Sequence, residues 1–217
     1  MAVFNSLEFQ RFAGVSQDSV PKYIMRMKDK GLLLGVEKGK VSITEDPFIV
    51  ASQIAYPSYI SFTTGLYLNN LMEQTVDKIF VATPVRRNKL AFNGMDIIFV
   101  HFNPSMMFGY QKHRKENSYI VFGEPEKIIL DMLYKPWIAN LSYVLDIVKQ
   151  IDVKKLLDFA SSVKEESVKR RLFYLLDYSG ISVDADDFTV VYTLNPHNKF
   201  RGKYVSKWKI YDNEVNF

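Results

Sequence analysis

Residues 5–43, NSLEFQRFAGVSQDSVPKYIMRMKDKGLLLGVEKGKVSI, decide how this chain is read. Asn5 predicts an N-cap, followed by a short helix over Ser6–Ala13. Glu8 stands three residues on, where its carboxylate reaches back to the cap. Leu7, Phe9 and Phe12 are expected to supply the apolar contacts of this helix, and Gly14 and Val15 its exit turn. A second helix is predicted over about 16–30, with Gly31 as a left-handed stop. Val20, Ile24 and Met27, spaced by four and three, line its core side. Ser19, Lys22 and Arg26 lie opposite, and Gln17 sits at the N-terminal end, nearer the core edge. Pro21, near the start of this helix, counts against the reading, because it costs a backbone bond unless the helix begins at about Asp18. Two β-type runs then flank Glu37-Lys38-Gly39-Lys40 and predict a basic-tipped hairpin.

Helix, short turn, longer helix, basic hairpin: this is the order of a winged helix-turn-helix, expected over residues 1–46. In such a module the second helix enters the major groove and the hairpin touches backbone. Gln17 and Ser19 at the start of that helix, with Lys22 and Arg26 on its outer side, are the expected DNA-reading residues. Arginine and lysine suit guanine edges or phosphates, and glutamine suits adenine. Lys38 and Lys40 on the wing are expected to hold phosphates, which adds affinity rather than specificity. The usual extra N-terminal helix of the module is missing from this reading.

Residues 47–217 read as a larger mixed α+β domain, which makes the whole chain α+β. Pro47 and Pro57 punctuate a connector over 46–62. Runs rich in Ile, Val and Phe over 78–83, 90–92, 96–102 and 118–122 predict strands, with Asn93-Gly94 a hairpin turn. After Pro125 the apolar spacing turns helical, through four segments that end at Gly180. Residues 189–210 return to β-type composition.

The chain has 217 residues, 47% hydrophobic, and carries a net charge of +4. No apolar run approaches the roughly 18 residues that span a bilayer, and no secretory signal pattern opens the chain. There are no cysteines, so disulfides and thiolate chemistry are excluded and a cytoplasmic location is expected. Cations cluster at Arg86, Arg87 and Lys89, and again at Lys112, Arg114 and Lys115, which form a secondary basic surface. A third group comprises Lys199, Arg201, Lys203, Lys207 and Lys209.

No catalytic residue, cofactor or metal ligand is expected. His101, His113 and His197 have no metal-ligand spacing, and His101 reads as a core or edge strand residue. Asp184, Asp186 and Asp187 lack the glycine and distal glutamate of a calcium loop and read as a solvated turn. Asp96 stands alone on its strand, without the paired aspartate a nucleotidyltransferase needs. Glu124, Glu126 and Asp131 read as capping and surface charge, and Ser61 has no nearby histidine in sequence.

Taken together, the motifs resemble the AbiEi-type antitoxins of type IV toxin–antitoxin (abortive infection) systems. The likeness begins with Phe4-Asn5-Ser6-Leu7-Glu8-Phe9 and the stretch from Leu32 to Ile43. It runs through Pro57-Ser58-Tyr59-Ile60-Ser61, Val81-Ala82-Thr83 and Gly123-Glu124-Pro125-Glu126-Lys127 with Leu130-Asp131. It closes on Lys169-Arg170-Arg171-Leu172 with Leu175-Leu176, so it covers roughly residues 4–180. Gly65 departs from the pattern, which has a small alanine there. The resemblance implies a winged helix that binds double-stranded DNA at its own promoter or operator and represses transcription. It also implies a C-terminal domain that opposes a cognate nucleotidyltransferase-like toxin. The competing expectation is a non-catalytic protein-interaction module that uses the winged helix for partner binding. Oligomeric state is open.

Overall fold

Asn5 caps the first helix as its chemistry dictates. Its Oδ1 accepts from the Glu8 amide at 2.9 Å while Glu8 Oε2 accepts from the Asn5 amide at 2.7 Å. Two helix-terminal donors are thus satisfied reciprocally. The computed structural model describes residues 1–138, 140–184, 188–200 and 202–214. In it β1 (Val3–Asn5) leads into α1 (Ser6–Ala13). A 3-10 turn over Gln17–Ser19 follows, then α2 (Val20–Asp29), β2 (Leu34–Glu37) and β3 (Lys40–Ser42). The helix expected from residue 16 therefore starts at Val20, and Pro21 falls in its first turn, where a missing N–H costs little. It ends as expected: Gly31 takes φ 70°, and the Gly31 and Leu32 amides return to the Lys28 and Met27 carbonyls at 2.9 and 2.8 Å.

The three strands form one antiparallel sheet in the order β1-β3-β2. Phe4, Phe9, Val20, Leu33 and Val41 are its buried core, with Val15, Ile24 and Met27 packed against them. The expectation for α1 needs correction. Phe9 is buried, but Leu7 and Phe12 are 54% and 72% exposed, because only one narrow face of this two-turn helix meets the sheet.

The chain divides into two units: Met1–Ile60 with Thr75–Phe122, and Ser61–Gln74 with Gly123–Phe217. Besides the N-terminal elements, the first unit holds α3 (Pro47–Gln53) and a six-stranded sheet. Its strands are β4 (Tyr59–Ile60), β5 (Lys78–Thr83), β6 (Leu90–Phe92), β7 (Met95–His101), β8 (Tyr110–Lys115) and β9 (Ser118–Gly123). The order is β6-β7-β5-β4-β9-β8. β5 pairs β7 in parallel, and β4 pairs β9 in parallel. Asn93 and Gly94, at φ 45° and 78°, make the two-residue turn between β6 and β7. Gln53 stitches the unit together. Its Oε1 accepts from the Ala2 amide at 2.6 Å, and its Nε2 donates to the Tyr119 carbonyl at 2.7 Å.

The second unit is mainly helical: α4 (Phe62–Leu68), α5 (Pro125–Tyr134), α6 (Ser142–Ile147), α7 (Val153–Ser162) and α8 (Glu166–Tyr178). Gly180 ends α8 at φ 82°, as its position predicts. The tail supplies only short strands, β10 (Tyr192–Thr193), β11 (Lys203–Val205) and β12 (Ile210–Asp212), in the order β10-β12-β11. Trp208 is fully buried, with its Nε1 on Asp177 Oδ2 at 2.8 Å. Bonds from Lys207 and from that indole hold the Asp177 carboxyl below the usual carboxylate range.

α5 corrects the reading of Glu124, Glu126 and Asp131 as capping and surface charge. Asp131 has no exposure and Glu126 is buried. Asp131 accepts from Ser61 Oγ at 2.6 Å and pairs with Lys127, one turn back and equally sealed from solvent. Glu124 and Glu126 pair with Lys155 of α7. In the motif Lys169-Arg170-Arg171, both arginines are buried too. Arg171 donates to the Leu133 and Thr193 carbonyls at 2.9 and 3.0 Å, and burial pulls its guanidinium down to about 10. These charges join elements within the unit.

Candidate nucleic-acid interface

Helical periodicity sorts the side chains of α2 into two sets. Val20 is buried and Ile24 and Met27 pack on the core cluster, which turns Lys22 and Arg26 outward. Four residues apart, they share one face of the helix. Both are exposed, and neither meets a carboxylate among the described residues. Tyr23, Met25 and Lys30 are exposed beside them. The outer side of α2 is thus mainly cationic, with Asp29 on the same face and an aromatic and a thioether interleaved.

The remaining predicted positions separate. Gln17 is exposed in the 3-10 turn that precedes α2 rather than near the core edge. Ser19 is half-buried, and its hydroxyl is 2.8 Å from that of Ser16. On the hairpin, Lys38 is exposed beside Gly39, whose φ of 79° makes the turn. Lys40 differs from the expected free wing cation. Its Nζ donates to the Ile54 carbonyl at 2.7 Å and lies 3.2 Å from Glu37 Oε1. The side chain alternates inward at that strand position, so its ammonium is spent on a tertiary tie.

Arg87 completes that tie. Its Nη2 is 2.5 Å from Glu37 Oε2, its Nη1 donates to Ile54 O at 3.3 Å, and its guanidinium lies 4.8 Å from the Phe99 ring centre. Burial pushes the Glu37 carboxyl up, but the bonds from Arg87 and Lys40 outweigh it and leave it below its ordinary 4.5. Glu37 therefore stabilises the fold above pH 4.5, and the contribution fades as pH falls through the lowered value. Glu37→Gln is expected to cost about 1 kcal/mol at pH 7, the scale of charged hydrogen bonds near a surface. In urea titrations the gap to the parent closes at acid pH; a gap that persists unchanged at pH 3 contradicts the assignment.

Of the secondary basic surface, Lys89 is 3.8 Å from Asp96 and Lys115 is 2.5 Å from Asp46. Lys112 lies 3.6 Å over the Tyr119 ring, and Arg86 and Arg114 are exposed. Lys112 and Arg114 come from β8, the edge strand of the large sheet, which no apolar alternation reveals. Charged side chains are what an exposed edge favours. Of the third group, Lys207 pairs with Asp177 at 2.7 Å and Lys209 donates to the Phe188 carbonyl, while Arg201 lies outside the described residues.

The residues weighed for other chemistry disperse. His101 is exposed at the end of β7, His113 stacks on Phe122 at 4.0 Å, and His197 stacks on Trp137 at 4.0 Å. Asp184 is exposed, and Asp186 and Asp187 lie outside the described residues. The Ser61 hydroxyl is fully buried on Asp131, without a solvent path in this structure. Among the described residues no group of three or more His, Asp or Glu could hold a metal ion. None of their helices is long and apolar enough to cross a membrane. No protein-family model matches the chain, and no curated protein sequence matches it.

Proposed function

We propose that this chain is a DNA-binding transcriptional regulator that inserts α2 into the major groove and sets Lys38 of the β2–β3 turn against the backbone. The observation that carries the reading is the outward presentation of Lys22 and Arg26 from a helix whose other side packs on a core. The element order β1-α1-α2-β2-β3, with β3 between its two neighbours, supports a winged-helix module. The AbiEi-type resemblance supports a further step: the chain is the autorepressing antitoxin of a type IV system and opposes a nucleotidyltransferase-like toxin. It acts without catalysis of its own, in the cytoplasm.

The test is fluorescence anisotropy of the full chain on a duplex from its own upstream region and on a composition-matched shuffle. Tighter binding to the first is expected, with about a thousandfold loss between about 50 and 200 mM salt if about six phosphates are neutralised. Equal affinity for both duplexes, or none, overturns the regulator reading. Co-expression of the full chain with a nucleotidyltransferase encoded beside it is expected to restore growth; persistent toxicity removes the antitoxin role alone.

One observation favours a second reading, a protein-interaction module. Phe12 and Met25 are 72% and 65% exposed on α1 and α2, a cost that burial against a protein partner relieves. Absence of DNA binding together with stoichiometric capture of the neighbouring gene product selects it.

A further inference from the structure

The first unit holds an open cleft of about 750 Å³ away from the outer face of α2. Its walls come from the start of α1, the segment after α3, Arg87 and the β8–β9 hairpin. That volume lies within the range of small-molecule sites, about 300–1,000 Å³. Two features give it chemical character. Tyr110 and Tyr119 offer aromatic surface, and both rings are held: Tyr110 stacks on Tyr59 at 4.6 Å, and Tyr119 lies under the Lys112 ammonium. Among the charged lining residues Lys40 and Arg87 are tied to Glu37 and the Glu8 carboxylate is engaged by the Asn5 amide, which leaves Lys112 as the lining cation without a carboxylate partner among the described residues.

The cleft is built rather than accidental. Gln53, which lines it, is fixed by bonds to the Ala2 amide and the Tyr119 carbonyl, so opposite walls are braced to each other. Preorganised walls lower the ordering cost of a ligand. We propose that this cleft binds a small organic anion, a carboxylate or phosphate carried on an aromatic or apolar body. The ring lies among the tyrosines, and the acid group faces the Lys112 ammonium. The assignment does not depend on DNA binding.

Phenyl phosphate is the probe, titrated by isothermal calorimetry into the full chain without DNA, alongside inorganic phosphate and benzyl alcohol. Saturable 1:1 binding of phenyl phosphate is expected, at least about tenfold tighter than either half alone, because ring and charge act together. Lys112→Glu reverses an exposed charge at the site and is expected to weaken phenyl phosphate about tenfold. Val121→Trp, which fills the space, is expected to abolish binding in a protein that keeps its far-ultraviolet spectrum. Three results each overturn the proposal: no saturation, equal binding of benzyl alcohol and phenyl phosphate, or binding indifferent to Lys112→Glu. If Val121→Trp does not fold, the Lys112→Glu titration decides alone.

Discussion

Replacing Asp131 by alanine is expected to lower stability by about 3–5 kcal/mol, the scale for a buried ion pair that loses one partner. Lys127 and Asp131 have no exposure, and Ser61 donates to the same carboxylate at 2.6 Å. Burial drives the Lys127 ammonium below its ordinary 10.5, and Asp131 opposes that pull. Without the carboxylate, Lys127 loses its ion-pair partner in a site sealed from water, with Glu165 still favouring its charged form. The sign of the pH dependence follows. A lysine whose folded value is lowered binds fewer protons folded than unfolded, so stability of Asp131→Ala rises with pH on the way to 10.5. The triple replacement Ser61→Ala/Lys127→Met/Asp131→Leu removes the pair together with its hydroxyl donor but leaves Glu165, whose charge also acts on Lys127, so it is expected to recover part of the Asp131→Ala loss. Urea denaturation at several pH values reads both. A loss below about 1 kcal/mol for Asp131→Ala contradicts the buried-pair account.

The second large effect concerns α2. Arg26→Ala is expected to cost about 1–3 kcal/mol of operator affinity where the guanidinium reads a base. Lys22→Ala is expected to weaken all duplexes alike, as a phosphate contact does. Both side chains are exposed, so folding stability should move by no more than about 0.5 kcal/mol. That separation makes the pair informative: affinity changes while the urea midpoint does not. Lys40→Ala behaves differently, because its ammonium joins Ile54 and Glu37, and its loss should show first in stability. Retained operator affinity in Arg26→Ala removes α2 as the reading helix.

What could be read along the chain and what could not divides by distance. The Asn5–Glu8 cap, the glycine stops at Gly31 and Gly180, and the Asn93-Gly94 turn each need only a few neighbouring residues. They form where their chemistry places them. β1 escaped notice because three residues have no periodicity of their own; β3 forms its pairing surface nearly forty positions later. β8 escaped because an edge strand carries charge where a central strand carries valine. The same limit governs the cations. Lys38 and Lys40 look alike in sequence, yet the strand turns one to solvent and the other onto Ile54. Glu37 meets Arg87 fifty residues away, and Ser61 meets Asp131 seventy residues away. No local pattern reports such meetings. The outward face of α2 was readable because spacing by three and four resolves a helix into sides.

Salt titration of operator binding, with the parent chain beside Lys22→Ala/Arg26→Ala, tests the cationic face of α2 most directly. The lost Lys22 phosphate contact should flatten the slope of log affinity against log salt by about 1, while the lost Arg26 base contact lowers affinity for the operator. Identical slopes for parent and double variant, at equal folded fraction, contradict the account.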